Sequence, residues 1–140
     1  MIALDTNILV ALLVQSQSEH AKTRKWFEGI RERFATTSTN VSEVLRLLTH
    51  AKVFPSPLAL DRAVDLLTGF LGGFEVRALE DEPEWWMGLK SLLASIPSLR
   101  GNEIFDARIA LCLRYHGVKE ICTFDADFKK YPFLKVVVPE

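Results

Sequence analysis

At 140 residues the chain has the size of one domain, and its 49% hydrophobic and 25% charged residues exclude a disordered or fibrous protein. Seventeen Lys and Arg against eighteen Asp and Glu leave a formal net charge of −1, which excludes attachment to nucleic acid by bulk charge alone but leaves room for a local patch. Cys112 and Cys122 are too few for a disulfide scaffold or a four-cysteine zinc site, and their apolar surroundings predict buried, reduced thiols of a cytoplasmic protein.

Ile2-Ala3-Leu4 reads as a short buried strand, and a helix is predicted from Asn7 to Val14 with Asp5 or Thr6 near its N-cap. The apolar N-terminal run has no basic leader, contains Asp5 and is too short to span a membrane, so neither a secretion signal nor a membrane helix is expected. Glu19 to Arg33 forms an amphipathic helix with Trp26, Phe27 and Ile30 on its apolar face. Phe34 to Thr37 suits a second strand, after which Ser38 or Thr39 caps a helix reaching Ala51. Phe54-Pro55-Ser56-Pro57 is a break. Beyond it a helix is predicted over Leu58 to Leu71, ended by Gly72-Gly73, and then a strand over Phe74 to Ala78. Pro83 suits the first turn of a helix running to Ile96, where Pro97 closes it. Ile104 to His116 is the next helix, stopped by Gly117. Glu120 to Phe124 is strand, Asp127 to Tyr131 a short turn or helix, and Lys135 to Val138 a last strand. Strands alternating with helices predict a three-layer α/β/α sandwich around a mostly parallel sheet, in one domain over residues 1–140.

Carboxylates stand where packing alone does not ask for them. Asp5 directly follows the first strand and Asp125 directly follows Phe124, and in parallel sheets ligands gather outside the carboxyl ends of the strands. Asp106 shares a helical face with Ile109, Ala110 and Leu113, which aims it inward near the helix N-terminus. Glu43 sits one turn before Leu47 at the edge of an apolar face. Singly, each has an ordinary use: Asp5 as an N-cap, Asp125 as a turn residue, Asp106 as a first-turn acid, Glu43 as a solvated face. Together they place acids on elements that can converge.

Converging carboxylates repel and raise one another's pKa unless a cation neutralises them. Neutralising any one of them is therefore expected to leave metal-free stability unchanged or higher. Oxygen ligands without Cys or His suit a hard cation, Mg2+ or Mn2+, rather than zinc. Such a site acts on phosphate esters by activating a water, steadying the leaving oxygen and screening an anionic substrate. Thr6 and Thr123, each beside an acid, can orient ligands by hydrogen bonds.

Leu4-Asp5-Thr6-Asn7 after a strand, Ser42-Glu43-Val44 on a helix, Asp106-Ala107-Arg108-Ile109-Ala110, and Thr123-Phe124-Asp125-Ala126-Asp127-Phe128 resemble, in order and spacing, the PIN-domain nucleases. More narrowly, the chain from Ile2 to Pro139 resembles the VapC toxins of toxin–antitoxin pairs. The resemblance implies a Mg2+- or Mn2+-dependent endoribonuclease that cleaves RNA phosphodiesters with a metal-activated water. It implies Asp5, Glu43, Asp106 and Asp125 as the catalytic and metal-binding quartet, Asp127 as an additional acid, and Thr6, Asn7 and Thr123 as supporting polar residues. It further implies a homodimer held inactive by a small antitoxin, whose C-terminal segment crosses the active-site groove.

Arg108, two residues after Asp106, and Asn102, shortly before that helix, are candidate substrate contacts, although a solvated face and a loop cap are their ordinary uses. Trp85-Trp86-Met87 suits either an interface or the core. His20, His50 and His116 pair with no nucleophile and read as structural, and there is no Gly-rich phosphate loop. The competing reading is a non-catalytic PIN-like binding module whose acidic pocket docks a basic partner segment.

Overall fold

The computed structural model of the chain describes residues 1–51 and 56–140; Phe54 and Pro55 of the expected break lie outside them. Five strands, β1 (Ile2–Leu4), β2 (Phe34–Thr37), β3 (Arg77–Leu79), β4 (Glu120–Cys122) and β5 (Lys135–Val137), form one sheet in the order β3-β2-β1-β4-β5. Every pairing is parallel, with Ile2 opposite both Phe34 and Glu120 and Leu4 opposite Cys122. The helices are α1 (Thr6–Leu13), α2 (His20–Gly29), α3 (Ser38–Leu48), α4 (Leu60–Gly73), α5 (Leu89–Leu92) and α6 (Glu103–Tyr115).

Strand alternation divides the core into two layers. Ile2, Leu4, Phe34 and Cys122 face a cluster built with α1 to α4, whereas Ala3, Ala35 and Ile121 face α5 and α6. A parallel sheet covered on both faces explains why β1 is apolar at every position and wholly buried. The expected three-layer sandwich is the architecture observed, with the sheet all parallel among the described residues. Both thiols are free and buried as expected, and burial pushes each up to about 12. No described helix is long and apolar enough to cross a membrane.

Several boundaries differ from expectation for tertiary reasons. α2 ends at Gly29 rather than Arg33, because Ile30 turns extended and the Arg33 carbonyl accepts the Ile2 N–H at 2.9 Å to enter the sheet. α3 is capped by Thr37, whose hydroxyl accepts from the Asn40 N–H, and it stops at Leu48, short of Ala51. Leu58 precedes α4 instead of starting it, since its N–H is held by the Leu48 carbonyl at 2.9 Å. The third strand begins at Arg77, not Phe74: Glu75 adopts φ 54° and Val76 returns its N–H to the Leu71 carbonyl at 2.8 Å, closing α4. The helix expected over Pro83 to Ile96 is broken. Glu84 is left-handed, Trp85–Gly88 is a 3-10 turn, and only Leu89–Leu92 is α-helical. His20 and His116 each bond a backbone carbonyl at 2.7 Å, in keeping with structural roles.

Candidate active site

The strand order reverses between β1 and β4, and Asp5 and Thr123 lie directly beyond the carboxyl ends of those two strands. Asp5 is the N-cap of α1 and is only 7% exposed. Its Oδ1 accepts from the Thr6 N–H at 2.8 Å and from Asn40 Nδ2 at 3.0 Å, and its Oδ2 accepts from the Thr123 hydroxyl at 2.7 Å. Thr123 Oγ1 in turn accepts from Asn7 Nδ2 at 3.2 Å and from the Asp125 N–H at 3.0 Å. Asn7 Oδ1 accepts from the Phe124 N–H at 3.2 Å, which joins the start of α1 to the chain leaving β4.

Asn40 was not singled out by the sequence. It is 1% exposed, accepts from the Thr37 hydroxyl at 2.7 Å, and donates through Nδ2 to both Asp5 and the Thr6 hydroxyl at 3.0 Å. A Thr-x-x-Asn at a helix start is the one signal available, and it reads first as a local cap. Only the parallel pairing of β1 with β2 carries Asn40 to Asp5.

Glu43 on α3 and Asp106 on α6 approach from the two helical layers. Asp5, Thr6, Asn7, Glu43, Asp106 and Asp125 line one cavity of about 290 Å3, so the four acids meet. Gln17, also unanticipated, lines it too, with Val10 and Leu47 as its apolar wall. Asp127 is exposed and outside the lining; its N–H donates to Asp125 Oδ1 at 2.9 Å.

Charge is held there at a cost. Burial raises the Asp5 carboxyl, opposed by the hydrogen bonds from Thr123, Thr6 and Asn40. Burial raises Glu43 as well, and Asp5 adds to it while Arg46 opposes. Asp106 is pushed up to about 6, by burial first and then by Asp5, Asp125 and Glu43. Among the described residues cations offset the cluster only in part: Arg46 opposes the rise of Glu43, and Lys130, the last of the influences on Asp106, is itself paired with Glu103 at 3.5 Å.

An all-oxygen donor set with mutual repulsion fits a hard divalent cation. Among the described residues, however, no three His, Cys, Asp or Glu side chains are already gathered around one point. That arrangement suits a cation which keeps several waters and takes only one or two carboxylates directly, and it does not suit an all-protein cage.

The two candidate substrate contacts line a neighbouring cavity with Glu43 as shared wall. Asn102 is exposed there. Arg108 is restrained: its Nε and one terminal nitrogen donate to Asp81 Oδ2 at 2.9 and 2.6 Å, and its guanidinium lies 4.7 Å from the Trp85 ring centre. Trp85 thus packs inward, while Trp86 and Met87 are half exposed.

Residues 2–134 match the model of the PIN domain family. The chain belongs to that family. Within it the chain groups with the VapC proteins. It is 30% identical over 145 aligned positions to Ribonuclease VapC24 of Mycobacterium tuberculosis, covering 99% of this chain and 97% of that one. It is 28% identical to Ribonuclease VapC48 of the same organism, where the match spans 68% of this chain and 65% of the relative, a little under two thirds of its length. Among solved structures, Mycobacterium tuberculosis VapC20, described as a Sarcin-Ricin loop cleaving toxin, superposes with a TM-score of 0.70 at 19% identity over 92% of this chain and 93% of that one. DNA-bound VapBC from Salmonella typhimurium gives 0.66 at 20% identity, covering 98% and 96%. At those identities the superpositions establish the shared fold.

Proposed function

We propose that this PIN-domain protein is a Mg2+- or Mn2+-dependent endoribonuclease and the toxin of a toxin–antitoxin pair. The observation that carries the reading is the meeting of Asp5, Glu43, Asp106 and Asp125 in one cavity at the reversal of the sheet order. Relatives named Ribonuclease VapC along nearly the whole chain support RNA as the substrate.

When bound, the cation supplies a Lewis acid that makes water a nucleophile near neutral pH and stabilises charge on the leaving oxygen. The chain's own residues prepare the place for it. Asp5 is clamped by three donors, so its carboxylate presents a fixed edge to the cavity. Thr123 and Asn40 are positioning residues that act through Asp5, and Asn7 holds Thr123. Glu43 takes a side-chain hydrogen bond from Thr6 but, like Asp106, has no three-donor clamp among the described residues, which leaves both freer to adjust to a ligand. The Asp106 carboxyl, pushed up to about 6 by burial and its acidic neighbours, would give up its proton to serve as a ligand if a cation were held there. Asp125 stands across the crevice on the β4 side, with Asp127 beside it in the next turn.

The same excess of negative charge accepts a guanidinium, which suits an antitoxin segment with a basic side chain across the cavity. VapBC assemblies among the structural neighbours support such a partner, and the family resemblance implies a homodimer in the cytoplasm. The absence of a preformed three-ligand cluster among the described residues favours one competing reading, a non-catalytic module that only docks such a segment.

Incubating the purified chain with RNA in Mn2+, in Mg2+ and in EDTA separates the two. Cleavage that needs a divalent cation and fails in Asp106→Asn is the expected result. Intact RNA in every condition, with unfolding temperature indifferent to both cations, overturns the nuclease in favour of the docking module.

A further inference from the structure

The cavity beside the acids, about 600 Å3 and joined to them at Glu43, has a lining of a different kind. Ser38, Thr39, Ser42 and Arg46 come from α3, and Asn102 and Phe105 come from the start of α6. Phe105 is 58% exposed, although it immediately precedes the half-buried Asp106. Its ring joins no aromatic pair among the described residues. Arg46 makes no ion pair within 4.0 Å among them, and the buried Thr39 hydroxyl has no hydrogen-bond partner. One aromatic face, one cation that forms no close ion pair although it lies in the field of Glu43, and one unpartnered hydroxyl thus stand beside the acid cavity.

The contrast with a second groove decides what class of ligand fits. That groove is walled mainly by aliphatic side chains, Leu13, Leu48 and Leu66 among them, with Gln15, Ser16 and Ser56 at its side, a lining that suits a largely apolar protein segment. The cavity at Phe105 has no aliphatic wall. Aromatic faces with nearby cations and amides are the means by which proteins hold single-stranded nucleic acid.

Resting on the ribonuclease reading, we propose that this cavity seats an unpaired nucleobase of the RNA, stacked on Phe105, with an adjoining phosphate on Arg46. The seated nucleotide neighbours the one whose phosphodiester lies over the acids. The substrate is therefore RNA that is single-stranded, or locally splayed, at this position, and Phe105 and Arg46 contribute to the choice of bond.

The test uses the full chain carrying Asp106→Asn in Mg2+, so that bound RNA stays whole. One short single-stranded RNA of defined sequence that the chain binds carries 2-aminopurine at each position in turn. Fluorescence quenching confined to one position is expected. Phe105→Ala should abolish it and weaken binding roughly 5- to 160-fold, the loss of one base–aromatic stack, while Phe105→Trp keeps both. Because the ring is largely exposed, unfolding temperature should move little, and in the otherwise unaltered chain Phe105→Ala should raise KM more than it lowers kcat. RNA that is bound and cut normally by Phe105→Ala overturns this inference alone. The same holds if that variant releases only a protein partner. A chain that neither binds nor cuts RNA overturns the ribonuclease reading, and this inference falls with it.

Discussion

Asp5 and Asp106 face the same cavity from opposite circumstances. Asp5 ends a central strand, is almost wholly buried, and receives three hydrogen bonds from Thr6, Asn40 and Thr123. Asp106 begins an inward stripe on α6, is only partly buried, and is surrounded by other acids with no strong counter-charge. One carboxylate is therefore part of the fold's wiring, and the other is a charge the fold tolerates. The difference separates an acid that also ties the fold together from one that does not, although the two look alike in the sequence.

Catalysis should not distinguish them, and there the expected effect is largest. Asp5→Asn, Asp106→Asn and Glu43→Gln should each lower RNA cleavage by at least about 100-fold, since each alters charge or coordination in one shared cavity. Gel-based cleavage rates with excess Mn2+ measure this. If Asp106→Asn cuts RNA at the wild-type rate, Asp106 is no part of the site, whatever its surroundings.

Next in size is the response to cation. Wild type should gain about 2.7 kcal/mol of stability at a hundredfold excess of Mn2+ over its dissociation constant. Asp106→Asn should gain much less, because the cation then meets less negative charge. Chemical unfolding followed with and without Mn2+ gives both numbers, and equal gains would detach Asp106 from the cation.

Metal-free stability is where the two acids should part. Repulsion alone makes any neutralising substitution harmless or helpful, and for Asp106→Asn that still holds: stability in EDTA should equal or exceed wild type. Asp5→Asn is different. Its new amide N–H2 faces the donors of Thr6, Asn40 or Thr123, leaving buried groups unpaired at a cost of about 1–3 kcal/mol. Urea unfolding in EDTA checks the sign for each variant. Two variants with the same sign would erase the distinction between wired and tolerated acids.

How far these roles could be read in the sequence depends on the range of the interactions. Asp5 was legible because it directly follows an apolar run that had to be strand, and Asp106 because Ile109, Ala110 and Leu113 mark a buried face that the structure confirms. Asp125 was expected directly after a strand reaching Phe124, but β4 ends at Cys122 and Thr123 and Phe124 separate it from Asp125. Asn40 was not legible. In the first turn of a helix an Asn reads as a local cap, and its work depends on strand pairing that brings Thr36 beside Leu4, where the Thr36 hydroxyl donates to the Leu4 carbonyl. The helix expected from Pro83 failed for a related reason. Gly88 lies against Leu111 of α6, where an added Cβ would come within 2.9 Å of a side-chain carbon, so the segment follows the shape of its neighbour and not its own periodicity. The strand expected from Phe74 was displaced when α4 closed on itself through Val76 and the Phe74 ring joined those of Phe27 and Phe70. Local pattern named the elements; contacts between distant elements set their ends.

The smallest effect is the most specific to Asp106. In the metal-free chain its carboxyl is raised from 3.8 to about 6. Between those values the folded chain keeps a proton that the unfolded chain has released, so the folded state binds more protons and stability must fall as pH rises. The contribution is fully present below pH 3.8 and is lost as pH climbs through about 6, after which it stays lost. Asp5 and Glu43 are raised as well and add to the decline in the same direction. Asp106→Asn should therefore make the decline shallower over this window without removing it, because the Asp5 and Glu43 share remains. Mn2+ should reverse the slope, since the cation binds the deprotonated cluster and competes with protons for it. Unfolding free energies at several pH values in EDTA, for wild type and Asp106→Asn, decide the matter. Parallel curves would mean that Asp106 is not coupled to the acid cluster, and that its inward stripe serves packing alone.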